Sequence, residues 1–134
     1  MGAWLTNQSG QITSFQFVYP SSIGDWKVVG TADLNGDGIG DLLLQNTANT
    51  QVGVWLMDGA GYPSSFQLVY PSNIGTWKVV GAVDLNHDGR PDILLQDGPS
   101  SLVGAWLMNA SGLPYRFQLV SSANIGSWRV NGRP

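Results

Sequence analysis

Short apolar segments alternate with clusters of glycine, proline, asparagine and serine along the chain, and no segment shows the 3.6-residue apolar period of an amphipathic helix. Residues 15–19, 66–70 and 117–120 alternate between apolar and polar side chains, which predicts strands with one buried face. Residues 77–81, 92–96 and 103–108 are nearly continuous apolar runs, which predict inner strands covered on both faces. The pattern therefore predicts an all-β protein.

The pattern repeats every 51 residues. Residues 33–83 overlay residues 84–134 without a gap, and residues 1–32 overlay residues 52–83. Each period holds four predicted strands, which is typical of a β-propeller blade, because a four-stranded sheet must pack between neighbours to bury both faces. Two sets of tryptophans mark the period: Trp4, Trp55 and Trp106, and Trp26, Trp77 and Trp128.

Composition excludes several classes of function. The 134 residues suffice for one domain, and the absence of cysteine excludes disulfides and thiolate chemistry. No apolar run approaches the roughly 20 residues of a membrane helix, so we expect no membrane insertion. The six basic residues are scattered, which argues against nucleic acid as a partner.

The acidic residues are concentrated in two loops, residues 33–41 and 84–92, which share the form D-x-N-x-D-G-x-x-D. Calcium takes six to eight hard oxygen ligands, which alternating side chains and a position-seven carbonyl can supply, and glycine at position six permits the sharp turn. The sequence therefore predicts two Ca²⁺ sites per chain. The expected ligands are Asp33, Asn35, Asp37, the carbonyl of Ile39 and Asp41, then Asp84, Asn86, Asp88, the carbonyl of Arg90 and Asp92.

Plain turns, EF-hands, dockerin-like loops and magnesium sites fit these two loops less well than calcium sites do. Ordinary Asn-Gly and Asp-Gly turns do not need three carboxylates held against their mutual repulsion. An EF-hand requires a bidentate glutamate at position twelve, where Leu44 and Leu95 stand, and a dockerin-like pair requires the same residue and flanking helices. Magnesium suits a flexible all-protein cage less well than calcium.

The two loops, the Trp-Leu-Met strands and the period near 50 residues together resemble the FG-GAP or VCBS repeat of integrin α-subunit propellers, propeller lectins and secreted bacterial proteins. The resemblance covers the entire chain. It implies that residues 26–32 and 77–83 are innermost strands and that residues 41–45 and 92–96 are second strands. The implied single partial propeller domain, 1–134, consists of a partial blade (1–25), two blades (26–76 and 77–127) and the first strand of a further blade (128–134).

Catalysis is not expected. The single histidine, His87, stands at a spacer position of the second loop, where the first loop has Gly36. Outside the loops, the remaining carboxylates Asp25, Asp58 and Asp97 occupy non-equivalent positions, so they do not form a repeated catalytic pair. We therefore expect a binding protein rather than an enzyme.

The tryptophans divide into two groups. Trp4, Trp55 and Trp106 lie in apolar strands and are predicted to pack between blades. The second set is better placed to line a cleft, because each member follows a polar loop, although packing accounts for large apolar side chains more often. The candidate ligand-binding residues are Trp26, Trp77, Trp128, Asn73 and Asn124.

The incomplete blades at both ends of the repeat predict self-association, because exposed blade faces would form a large apolar patch. Two chains would close six blades, within the usual range, whereas three would give nine, so a dimer is favoured over a trimer. The further expected partners are a glycan or an extracellular protein. The expected location is the cell surface or the extracellular medium, with no secretion signal among these residues. The alternative is an engineered or fragmentary self-assembling propeller without a ligand of its own.

Overall fold

The structure, a computed structural model, describes residues 1–19 and 21–121, which contain ten β-strands and no helix. This part of the chain accordingly offers no helix that could cross a membrane. The strands are β1 (Gly2–Thr6), β2 (Ile12–Phe17), β3 (Trp26–Ala32), β4 (Asp41–Asn46), β5 (Val52–Met57), β6 (Pro63–Tyr70), β7 (Trp77–Val83), β8 (Asp92–Asp97), β9 (Val103–Met108) and β10 (Pro114–Ser121).

Three antiparallel sheets follow one another along the chain. Strands β1 and β2 form a two-stranded sheet, β3 to β6 a four-stranded sheet and β7 to β10 a second four-stranded sheet, each in chain order. The prediction of an all-β fold with four antiparallel strands per blade is confirmed. Strands β3, β7 and β9 have the predicted bounds, and β4 and β8 extend one residue further than predicted. The strand predicted within residues 128–134 lies outside the described residues.

The hydrophobic core lies between the two four-stranded sheets. Leu43 and Val54 are paired across β4 and β5 and are fully buried. Ile93 is paired with Trp106 across β8 and β9, and both belong to the same core cluster. Burial on both faces explains why these inner strands are almost wholly apolar in sequence.

Hydrogen bonds join successive sheets at equivalent places. The side-chain amide of Gln16 donates to the carbonyl of Ala60 at 3.2 Å, and Gln67, 51 residues later, donates to Ser111 at 3.3 Å. The buried Gln45 also spans the two complete sheets, because it donates to the carbonyl of Trp77 (3.1 Å) and accepts from the amide of Val79 (3.0 Å). Blade-to-blade packing is thus specified by polar groups as well as by the apolar core.

The outer strands β2, β6 and β10 differ from the prediction of one buried face. Phe66 is exposed, and only Val69 of β6 is buried. The Phe66 ring lies over Gly53 of the neighbouring strand, where an added Cβ would stand 2.5 Å from its Cζ atom. Gly104 and Phe117 repeat the arrangement at 2.6 Å, so the missing side chain in β5 and β9 creates the seat for each ring. The alternating apolar residues of these outer strands therefore pack against the neighbouring strand of the same sheet and are not buried in the core.

Candidate metal loops and inter-blade clefts

The first aspartate loop, residues 33–41, is folded around the carboxylate of its first residue. Asp33 Oδ1 accepts the backbone N–H groups of Gly36 (2.7 Å) and Asp37 (3.0 Å), and Asp33 Oδ2 accepts that of Gly38 (2.7 Å). Gly36 and Gly38 have φ angles of 78° and 84°, in the left-handed region that glycine adopts without a steric penalty. The sequence therefore curls here because glycines stand where the backbone must turn.

Three of the predicted ligands in this loop are neighbours. Asn35 donates through Nδ2 to Asp37 Oδ2 at 3.0 Å, and its Oδ1 accepts the Asp37 amide at 3.2 Å. The amide of Ile39 donates to Asp37 Oδ1 at 2.8 Å. Hydrogen bonds therefore hold Asp33, Asn35 and Asp37, at positions one, three and five, close to one another, and Ile39, at position seven, is bonded to Asp37.

The second loop, residues 84–92, repeats most of these bonds. Asp84 accepts the amides of Asp88 (3.2 Å) and Gly89 (2.9 Å), and Asn86 donates to Asp88 at 3.2 Å. The two loops differ at position seven, where Arg90 places its guanidinium 3.8 Å from Asp88 Oδ2. The second loop therefore carries a positive charge that the first lacks.

The ninth residue of each loop has a different environment from the other four. Asp41 is fully buried, and its carboxylate bridges two segments: Oδ2 accepts the amide of Leu34 at 2.9 Å, and Oδ1 accepts the amide of Met57 at 3.0 Å. The carboxylate therefore fastens the start of the loop to the end of the third strand of the same blade. Asp92 makes the same pair of bonds to Leu85 (2.9 Å) and Met108 (3.0 Å).

The loop oxygens suit calcium in chemical type, because carboxylate, amide and backbone carbonyl oxygens are the hard ligands that this ion prefers. Positions one, three and five are brought together, whereas the ninth carboxylate is directed towards two backbone amides. Among the described residues, no cluster of three or more acidic, histidine or cysteine side chains is close enough to hold an ion by itself. Backbone and amide oxygens would therefore have to complete a coordination shell.

The two loops face each other across a cleft of about 640 Å³. Asp33 and Asn35 line it from one blade, and Asp84, Asp88 and Arg90 line it from the next. Carboxylates from two repeats thus border the same space, with one guanidinium among them.

Two further clefts lie where adjacent blades meet, and they are equivalent under the 51-residue repeat. In the smaller one, of about 340 Å³, Tyr19 of one blade packs against Trp55 of the next with ring centroids 5.1 Å apart. In the larger one, of about 580 Å³, Tyr70 stacks on Trp106 at 5.3 Å. An aromatic pair drawn from two blades therefore forms one wall of each cleft.

The predicted tryptophans of the first strands form another part of these clefts. Trp26 and Trp77 line them, in edge-to-face contact with Phe66 (5.4 Å) and Phe117 (5.5 Å) respectively. Asn73, a candidate ligand-binding residue, lines the larger cleft. Trp128 and Asn124 lie outside the described residues.

The larger cleft has side chains that the smaller one lacks. Tyr115 and Arg116 line it, whereas the equivalent positions of the preceding blade are Ser64 and Ser65. Tyr115 and Arg116 add a phenol and a guanidinium to the rim of the larger cleft. The composition of the rim therefore distinguishes two clefts that share the same aromatic wall.

The sequence predicts a packing role alone for Trp4, Trp55 and Trp106. The structure places Trp55 and Trp106 in the clefts as well, and it leaves Trp4 exposed. The signal that could have found them is the spacing of Tyr19 and Tyr70, which follows the same 51-residue period. The pairing itself is invisible in sequence, because each tyrosine contacts a tryptophan 36 residues further along the chain.

Asp97, one of the carboxylates outside the loops, lies in a hydrogen-bonded corner at the end of β8. It accepts the hydroxyl of Ser100 at 2.5 Å and also that of Thr76. The bond from Ser100, then that from Thr76, lowers the pKa of Asp97, while partial desolvation opposes the shift. Asn46 occupies the equivalent position of the preceding blade, and its side-chain oxygen accepts the backbone amide of Asn49, as Asp97 accepts that of Ser100, so the corner is hydrogen-bonded in both blades.

The successive four-stranded antiparallel sheets and their repeated inter-blade contacts define the class of protein as one built from β-propeller blades. Residues 33–95 match the model of the FG-GAP-like repeat family, and this stretch of the chain, which contains both aspartate loops, is an FG-GAP-like repeat. No curated protein and no solved structure matches the chain.

Proposed function

We propose that this chain is a non-catalytic propeller segment that binds carbohydrate in its inter-blade clefts, outside the cell, and is stabilised by calcium in its two aspartate loops. The observation that carries the proposal is the repeated cleft in which a tyrosine and a tryptophan from adjacent blades face a further tryptophan.

The cleft chemistry suits a sugar ring. The C–H faces of a pyranose are apolar and pack against aromatic rings, while its hydroxyl groups require polar partners at the rim. Trp77 and Trp106 supply aromatic surface in the larger cleft, and Asn73 and Arg116 supply hydrogen-bonding groups. The guanidinium favours a saccharide that carries a carboxylate, because it pairs with that group through two parallel hydrogen bonds.

Glycan-array screening followed by calorimetry tests the cleft. We expect Asn73→Ala and Tyr115→Ala to weaken binding of the best array hit at least fivefold without loss of folding, because both side chains are exposed at the larger cleft. Tyr62→Ala is the matched control, since Tyr62 is an exposed tyrosine that does not line either cleft. Equal affinity in Tyr115→Ala and Tyr62→Ala would show that this cleft is not the binding site.

The calcium part of the proposal rests on the two loops. An ion held by Asp33, Asn35, Asp37 and the carbonyl of Ile39 would neutralise carboxylates that otherwise repel each other, and would tie β3 to β4. Asp84, Asn86, Asp88 and the carbonyl of Arg90 are the corresponding groups between β7 and β8. The calcium sites of extracellular modules bind the ion weakly and are filled at the high calcium concentrations outside cells. Calcium binding in these loops would therefore fit an extracellular location.

Terbium luminescence and calcium calorimetry test the loops. We expect two binding events, of which the second loop is the weaker, because the guanidinium of Arg90 already lies 3.8 Å from Asp88. Arg90→Ile, which copies the residue of the first loop, should bring the two affinities together. No calcium binding by the folded protein would contradict the proposal.

A second candidate function is that of a self-assembling structural propeller without its own ligand. The exposed apolar side chains of the first sheet, which include Trp4 and Phe17, favour it. A folded, assembled protein that binds none of the glycans on the array would support this function over carbohydrate recognition.

A further inference from the structure

The chain makes the same blade-to-blade interface twice, and the surfaces on either side of that interface are distinguishable. One side, here called the tail face, carries a buried valine and the glutamine that donates to the next blade, as in Val18 and Gln16, then Val69 and Gln67. The other side, the head face, carries the cleft tryptophan and the carbonyl that accepts from the glutamine, as in Trp55 and Ala60, then Trp106 and Ser111.

A third copy of each face is present, and none of the sheets in the described residues, 1–19 and 21–121, covers it. Val120 belongs to the tail face and is 50% exposed, whereas its equivalent Val69 is 3% exposed. Trp4 belongs to the head face and is 65% exposed, whereas its equivalent Trp106 is 8% exposed. Val69 and Trp106 are thus buried against an adjoining sheet, whereas no sheet of the described residues covers Val120 and Trp4.

We propose that the exposed tail face of one chain docks on the exposed head face of a second copy of this chain, continuing the interface that each chain already makes internally. The occupant is a second copy because the two faces are complementary halves of one repeated contact. Gln118 takes the position of Gln16 and Gln67, and the carbonyl of Ser9 takes the position of the acceptors on the following blade. Gln118 of one chain therefore donates to Ser9 of the other.

The docking differs from the internal interfaces in one respect. Ser121 stands where Tyr19 and Tyr70 stack on the next tryptophan. The intermolecular junction consequently depends on burial of Val120 and Trp4 and on the glutamine hydrogen bond, without the tyrosine. A contact between two different surfaces closes into a ring when the rotation allows it, and two chains are the smallest such ring.

The test is light scattering after size exclusion at several protein concentrations. The wild-type chain is expected to elute at twice the 14.3 kDa chain mass. Val120→Asp and Trp4→Asp, each measured alone, should both elute as monomers, because each blocks one of the two faces. Leu119→Asp is the matched control: Leu119 is similarly exposed but lies on the other side of β10, and it should leave the dimer intact.

Mixing the two face variants distinguishes head-to-tail docking from other assemblies. The intact head of Val120→Asp can meet the intact tail of Trp4→Asp, so the mixture should recover a dimer that neither variant forms alone. A monomeric wild type, a dimer that survives Val120→Asp, or a mixture that stays monomeric would each overturn the proposal. None of these measurements depends on glycan binding or on calcium, so failure here leaves the proposed carbohydrate and calcium binding standing and removes only the self-assembling candidate, and failure of glycan or calcium binding leaves the docking standing.

Discussion

Replacing Asp41 by asparagine separates two roles that the sequence could not distinguish, that of calcium ligand and that of tether between the loop and the third strand of the blade. Both carboxylate oxygens accept backbone amides, from Leu34 at 2.9 Å and from Met57 at 3.0 Å, and the side chain is fully buried. Asparagine keeps the shape but has one acceptor oxygen, so its NH₂ group would face an amide that also donates.

The magnitude follows from these contacts. A hydrogen bond to a charged group contributes about 1.5–3 kcal/mol, and a buried amide left without an acceptor costs a similar amount, so Asp41→Asn should lose at least about 2 kcal/mol of unfolding free energy. At about 4 °C per kcal/mol for a chain of this length, the melting temperature falls by about 8 °C. Asp92→Asn should behave in the same way, because its carboxylate makes the same pair of bonds.

The assay is thermal unfolding in chelator and again in calcium. Asp37→Asn is the matched control, because Asp37 is an exposed loop carboxylate with bonds only inside the loop. In chelator it should melt within about 2 °C of the wild type, since exposed substitutions cost little. Its stabilisation by calcium, in contrast, should fall. If Asp41→Asn melts like the wild type in chelator and loses only the response to calcium, the tether reasoning is refuted.

Three other outcomes are expected. The hydrogen bonds of Ser100 and Thr76 lower the pKa of Asp97 in the folded state, so the stability they contribute is present above the unfolded pKa of 3.8 and is lost as the pH falls through the folded pKa. Asp97→Asn should therefore flatten the decline in melting temperature between pH 5 and pH 2, measured by circular dichroism. A decline as steep as that of the wild type would contradict this expectation. Gly53→Ala places a Cβ 2.5 Å from the ring of Phe66 and should lower the free energy of unfolding in urea by about 1–3 kcal/mol. Adding Phe66→Leu should recover part of this free energy in the double variant. If the two substitutions lower the free energy of unfolding by strictly additive amounts, that result would count against the close contact. Chelation of calcium should lower the melting temperature of the wild-type chain, and an unchanged melting curve would argue against a stabilising ion.

The strands could be predicted because the copies of the 51-residue repeat can be aligned with one another within the single sequence. Strand β9 has the bounds predicted from its apolar run, and β3 and β7 have the bounds that the resemblance to FG-GAP repeats implies. The apolar pattern alone predicts residues 77–81 for β7, which continues two residues further, to Val83. The role of Asp41 could not be predicted, because residue type identifies an oxygen donor but not the atoms towards which it points. The exposure of Phe66 was equally hidden: alternation shows that a side chain lies on one face and does not show that Gly53 provides the seat.

The order of the strands within each sheet has a consequence for how the chain acquires its structure during synthesis. Each strand pairs with the one before it, through short connections, and neither complete sheet contains a crossover. Closing short loops costs little entropy, and proteins rich in contacts between near neighbours in sequence fold quickly. The strands of a sheet such as β3 to β6 can therefore pair as soon as the fourth strand leaves the ribosome, and the sheet buries its second face when the next blade has been translated and packs on it. The emerging chain would present a finished surface on which each later blade is built.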